Sequence, residues 1–154
     1  MHESPACHLE EQIEQLEADI SRRSAAFRVE SQPVTIEAIQ TAIPPEAALV
    51  EFVRFKAFDF QKGQWLSPRY AAYVLHHQGE PAWVTLGEAT TIDTAVQTLR
   101  AALRDPNKQD VKKLARALDE KLMQPVRTLL GETRTVLLSP DGVLHLVPFA
   151  ALVD

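Results

Sequence analysis

The sequence predicts an α/β protein, a mixed sheet with covering helices and a closing β-hairpin. Three observations lead there. Short apolar runs at 48–55, 70–76, 83–86 and 135–138 have the length and β-branched or aromatic content of strands. Two longer segments, 90–105 and 109–130, repeat apolar residues every three or four positions, as a helix with one buried face does. Proline, glycine and Asx residues fall between these runs, where turns are required.

Residues 8–30 read as one amphipathic helix. Leu9, Ile13, Leu16 and Ile20 recur at four, three and four residues, with Glu10, Glu11, Glu14, Glu17 and Asp19 on the other faces. Arg22, Arg23 and Arg28 follow, so the charge runs from acidic to basic along the helix dipole. The stripe is shorter than a coiled coil needs. It fits either the last helix of an upstream array or a helix packed on the following domain.

After Ser31-Gln32-Pro33, a short helix is expected over 35–41, with Thr35 as its N-cap and Ile36, Ile39 and Ile43 facing inward. Pro44-Pro45 ends it, because the residue before a proline avoids the α region. Ala48–Phe55 is apolar on both faces in its first half, as a central strand is. Tyr70–His76 and Trp83–Leu86 follow, joined through the tight turn His77-Gln78-Gly79-Glu80. The loop 57–68 carries Phe58, Phe60 and Trp65. Burying that much apolar area is strongly favoured, so the expectation is a flap docked on the domain rather than a partner surface.

Thr90-Thr91-Ile92-Asp93 has the pattern of a capping box, and Ile92, Val96, Leu99 and Leu103 form the inner face of the helix it opens. The next helix, 109–130, turns Val111, Leu114, Leu118 and Leu122 inward, with a kink or restart expected at Pro125 and Gly131 as its C-cap. Thr135–Leu138 reads as a buried strand. Ser139-Pro140-Asp141-Gly142 suits a type I turn, and Val143–Phe149 reads as the returning arm of a hairpin, placing Leu138 and Leu146 in the core.

Composition removes several function classes. With 16 basic and 21 acidic residues the net charge is −5, which argues against a nucleic-acid surface. The single cysteine, Cys7, forms no internal disulfide and no zinc site of usual spacing. No apolar run reaches the ~18 residues of a membrane span, and the polar, acidic start lacks the pattern of a signal peptide, so the chain reads as cytoplasmic.

Chemistry is sparse. Cys7 and His8 are neighbours, but a catalytic thiolate needs a shielded site and an oriented base; they read as surface residues. His76 and His77 are adjacent on a strand and point to opposite faces, so they cannot chelate one ion together. His145, in an apolar run, reads as a packed residue with one satisfied nitrogen, and Glu51 as facing solvent or an arginine. There is no nucleophile elbow, Walker loop or HExxH motif. No catalytic, cofactor-binding or metal residue is expected.

Three stretches carry a family resemblance. Residues 35–40 lead into Pro44-Pro45-Glu46-Ala47-Ala48-Leu49-Val50-Glu51-Phe52; Tyr70–Leu75 is followed by Val84-Thr85-Leu86-Gly87; and the chain closes on Ser139-Pro140-Asp141-Gly142-Val143-Leu144-His145-Leu146-Val147-Pro148-Phe149-Ala150-Ala151-Leu152. In this order, residues 31–154 resemble the N-terminal part of a CHAT domain, the caspase-like domain often found after tetratricopeptide repeats. The resemblance implies a cysteine peptidase with a His–Cys dyad downstream of the closing turn. No position here inherits a catalytic role, and neither Cys7 nor His145 matches the dyad.

The expectation is therefore a truncated, non-catalytic N-terminal half of a CHAT-type domain, not itself an enzyme. It would support or regulate a peptidase half beyond Asp154, with residues 1–30 as the connector to an upstream helical-repeat array. Its partners would be those two missing parts, with self-association through an exposed apolar edge. The alternative is a stand-alone interaction module using the 8–30 helix and the 57–68 aromatic loop.

Overall fold

The computed structural model describes residues 12–20 and 33–152. The chain divides into two compact units, Met1–Ala38 and Ile39–Asp154. In the first, residues 12–20 are helical (α1), and Ile13, Leu16 and Ile20 are all exposed. The remainder of the helix expected over 8–30 lies outside the described residues, as do Cys7 and His8.

Helix α2 (Ile36–Ala42) crosses the division between the units. Thr35 caps it, its Oγ1 accepting the Ala38 N–H at 3.2 Å. Of the three isoleucines expected to face inward, Ile43 is buried and Ile39 half-buried, but Ile36 is exposed in the first turn. Ile43 and Ile39 pack with Ala47, Leu49 and Leu75 in a small cluster of their own.

The sheet of the second unit has the order β5-β4-β1-β6. Its strands are β1 (Ala47–Phe55), β4 (Arg69–His76), β5 (Ala82–Glu88) and β6 (Thr135–Ser139). The first three form an antiparallel meander. The chain then crosses one face of the sheet through α3 (Ala89–Arg104) and α4 (Val111–Leu130) and returns as β6, parallel to β1. A parallel neighbour requires such a crossover, which is why two helices intervene.

The pleat divides the side chains. Ala48, Val50 and Phe52 of β1, Tyr70, Ala72 and Val74 of β4, and Val136 and Leu138 of β6 share one face through the pairing register. Against that face α3 sets Ile92, Val96 and Leu99, and α4 sets Leu118, Leu122 and Val126, all fully buried. This is the main core. On the other face Leu75 and Ala71 are buried, but Tyr73 and Trp83, paired across β4 and β5 with ring centroids 6.5 Å apart, stay exposed, as does Leu137.

Several expectations are corrected. Helix α3 starts at Ala89 rather than at the capping-box threonines, and Glu88 gives it no side-chain cap. The Ala89 N–H is instead taken by the Pro68 carbonyl, and Asp93 turns toward Tyr70. Ala102 takes the inner position expected of Leu103, which is 45% exposed, because the helical angle carries the stripe one residue back at its end. Helix α4 is continuous through Pro125, so no restart occurs. Two arginine–carboxylate hydrogen bonds, from Arg127 to the buried Asp119 at 2.6 and 2.7 Å, brace it from one side of the proline to the other. Gly131 follows with φ +57°, open to a residue without Cβ, and ends the helix as expected.

Strand β6 is only half-buried, because it borders the sheet on the side away from β1. The closing β-hairpin is absent from the described residues. After Asp141 the chain winds into two 3₁₀ turns, Gly142–Leu146 and Phe149–Ala151. The Leu144 N–H bonds the Asp141 carbonyl and the Val147 N–H the Leu144 carbonyl, so these amides are satisfied locally and no strand forms. With the period changed from two to three, Leu144 and Val147 are buried while Leu146 is 44% exposed. Leu146 is therefore not a core residue, and Leu138 packs only at the core's margin.

The loop 57–68 is not a docked flap. It folds on itself as a two-stranded ribbon of β2 (Phe58–Asp59) and β3 (Gln64–Trp65).

Candidate functional site

The most organised polar cluster lies where β1 and β6 end, the carboxyl edge of the only parallel pair in the described sheet. In open α/β sheets this edge is where sites are built. The turn Ser139–Gly142 leaves β6 here and is tied back to the sheet at two points. One Asp141 carboxylate oxygen accepts the Arg54 backbone N–H at 2.8 Å. The Val143 backbone N–H bonds the phenol oxygen of Tyr70.

Tyr70 is fully buried, and its hydroxyl donates to Asp93 Oδ1 at 3.0 Å. Burial, and then the hydrogen bond to Asp93, push the phenol up to about 12. The second Asp93 oxygen lies 4.0 Å from Arg54 Nε. The start of β4, the end of β1, the N-terminal part of α3 and the turn after β6 are thus linked around Tyr70. The arrangement fixes the path of the chain beyond β6. Its groups hold one another and supply no activated nucleophile.

Gly142 sits against this cluster with φ +57°. A Cβ there would lie 2.9 Å from the Tyr70 hydroxyl and 3.4 Å from Arg54 Cδ. Glycine is required on both counts, conformation and space.

The histidines singled out from the sequence do not come together. His76 is the last residue of β4 and His77 the first beyond it, and the two rings reach different elements. His76 Nε2 donates to the Leu129 carbonyl on α4 at 3.1 Å. His77 Nδ1 donates to the carbonyls of Ile43 at 2.8 Å and Gln40 at 3.1 Å at the end of α2. A carbonyl only accepts, so each of these nitrogens carries its proton. Gln40 completes this clamp by donating to the His76 and Gly79 carbonyls. His145, expected to be packed, is exposed on the first 3₁₀ turn, because the turn brings Leu144 rather than its neighbour inward. Glu51 is exposed. Among the described residues, no group of three or more His, Cys, Asp or Glu is arranged to hold a metal ion. No helix of the described residues is long and apolar enough to cross a membrane.

A cavity of about 480 Å³ opens at the opposite end of the sheet, between the start of β1 and the segment joining α4 to β6. Its charged lining, Glu46, Glu132 and Arg134, is of mixed sign.

The sequence did not single out the Tyr70, Asp93 and Arg54 cluster. Its one legible sign was the Asp-Gly pair of the turn. The partners come from strands and a helix far apart in the chain.

The fold and this site define an α/β sheet unit with helices on one face and a pinned turn at the carboxyl edge of its parallel strands. The CHAT domain family model matches residues 112–154, which run from the second residue of α4 through β6, the pinned turn and both 3₁₀ segments. The resemblance read from the closing stretch is borne out over this range, where the chain is similar to the CHAT domain. The two earlier stretches, in β1 and in β4 and β5, lie outside the matched range. No curated protein and no solved structure matches the chain.

Proposed function

We propose that this chain is the non-catalytic N-terminal half of a CHAT-type, caspase-like domain, which supports or restrains a peptidase half encoded beyond Asp154. The observation that carries the reading is the family match over 112–154. The architecture supports it. Strand β6 is parallel to β1 and borders the described sheet, so its outer edge is free to accept a further strand. Thr135–Leu138 carries no charge and no proline, the usual protections of a natural edge. On this reading the cluster around Tyr70 positions the chain as it leaves β6 toward the peptidase half, and residues 1–30 connect to a helical-repeat array. The chain by itself is not an enzyme.

The test is to read the frame beyond Asp154 and express it with this chain. Two further apolar strands are expected, one ending in His and one in Cys. The joined protein should hydrolyse a peptide panel and lose that activity when the downstream cysteine is replaced by alanine. The present chain alone should show no hydrolysis, should scatter light and bind a hydrophobic dye, and should do both less once joined. A downstream frame without the His and Cys strands, or hydrolysis by this chain that Cys7→Ala abolishes, overturns the reading.

A further inference from the structure

One row of side chains crosses the open face of the sheet, the face away from α3 and α4. Its neighbours in the pairing register are Trp83 of β5, Tyr73 of β4, Glu51 of β1 and Ser139 of β6. Trp83 is 61% exposed and Tyr73 is 44% exposed, and their rings meet at an interplanar angle of 33°. Glu51 is exposed directly opposite Tyr73, where facing residues set their Cβ atoms about 5 Å apart. Leu49 and Val53 flank it along β1. A carboxylate thus stands beside two aromatic rings in the middle of an otherwise apolar face.

Nothing on this face neutralises it. No hydrogen bond or ion pair reaches the Glu51 carboxylate among the described residues. Arg69 shares the face but lies four residues along β4 from Tyr73, ~13 Å away, and stands opposite Glu88.

A covering layer has already begun here. Ile39 and Ile43 cover the Leu49 and Leu75 end of the same face, and a parallel pair ordinarily belongs to a sheet covered on both faces. A segment that continued this cover with apolar side chains alone would bury Glu51 without a partner, which is strongly unfavourable. The cover must therefore bring a cation. A guanidinium suits the row best, because it is flat and weakly hydrated, stacks on aromatic faces and meets a carboxylate with two N–H groups at once.

We propose that this row is a docking site for a segment of another protein that presents an arginine between apolar side chains. The guanidinium lies over Trp83 and Tyr73 and pairs with Glu51, and its apolar neighbours cover Leu49, Val53 and Leu137. The place of the row favours a separate protein. Trp83 is on β5, the border of the sheet opposite β6, and a strand added at β6 would lie four strand spacings from it, ~19 Å.

The test presents the full chain to a phage library of random dodecapeptides. Recovered peptides are then titrated into the chain carrying Trp65→Phe, in which Trp83 is the only tryptophan. They should carry an arginine flanked by apolar residues and should change Trp83 emission in a saturable way. Replacing that arginine by glutamine should weaken binding at least about tenfold. Glu51→Gln should erase the difference between the two peptides. Glu120→Gln, the same change of charge at an exposed position of α4, should preserve it. Circular dichroism should be unchanged in both variants. Recovered peptides without arginine, no response of Trp83, or an arginine preference that survives Glu51→Gln would overturn the proposal. So would a preference lost equally in Glu120→Gln. Binding lost once the chain is joined to its downstream frame would assign the row to that half, and a chain dimer dispersed by the peptide would assign it to a second copy; either overturns the proposal. The selection and titrations need no peptidase half, so this test and that of the proposed function fail separately.

Discussion

The Tyr70 hydroxyl stands 2.9 Å from the point where any side chain at position 142 would place its first carbon. The two residues lie 72 positions apart in sequence, and their approach closes the turn after β6 onto the sheet. Gly142→Ala should therefore destabilise the protein by about 1–3 kcal/mol, from the crowding and from the positive φ together. Tyr70→Phe should cost about 1–3 kcal/mol by leaving Asp93 and the Val143 N–H without their partner. The double variant should cost less than the sum, because removing the hydroxyl removes the clash. Urea unfolding of the three variants checks this; strict additivity would show that the two residues do not meet.

The raised phenol of Tyr70 has a consequence at high pH. Its folded value, about 12, lies above the ordinary 10, so the folded state keeps its proton where the unfolded state has lost it. Stability linked to this group is fully present below pH 10 and falls as pH rises from 10 toward 12. Urea midpoints measured across that range should decline more steeply in the native protein than in Tyr70→Phe, which lacks the titrating group. Parallel declines would place the hydroxyl in water.

The Asp119 carboxylate is buried and holds both terminal nitrogens of Arg127, whose side chain is partly open to water. Arg127→Ala should cost roughly 1.5–3 kcal/mol, the range for hydrogen bonds to a charged group. Adding Asp119→Asn should recover part of that loss, since the amide carries no charge to leave unpaired. Denaturant midpoints of the single and double variants decide it: no recovery would mean that the cost arises from lost packing of the arginine stem.

Two leucines of the closing segment should behave differently despite their similar settings in sequence. Leu144→Ala should cost roughly 2–5 kcal/mol, because the side chain is fully buried in the main core. Leu146→Ala should stay within about 0.5 kcal/mol. A comparable loss at both sites, measured by chemical denaturation, would restore the strand geometry that the 3₁₀ turns replace.

Residue pattern alone determined a good deal. The four apolar runs, the two long helical stripes and the turn residues between them lie in the structure within a few positions of where they were read. Local sequence encodes these features through side-chain period, and β1 even declared its central place by being apolar on both faces. Where the chain leaves β6, pattern failed. Val143–Phe149 has strand composition, but the Asp141 carboxylate is engaged by Arg54 and the Val143 N–H by Tyr70. With its backbone groups satisfied that way, the segment winds into 3₁₀ turns. The aromatic ribbon failed in the opposite sense. Apolar composition predicted burial, but burial needs an uncovered apolar surface within reach. The ribbon instead closes on itself through Asp59 and its own ring contacts. The sequence by itself set the elements and their apolar faces, because those depend on neighbours three or four residues away. Only the tertiary structure decided which strand is parallel to β1, which hydroxyl pins the closing turn and which aromatics stay in water. Each of these is a contact between residues distant in the chain, and no local period records it.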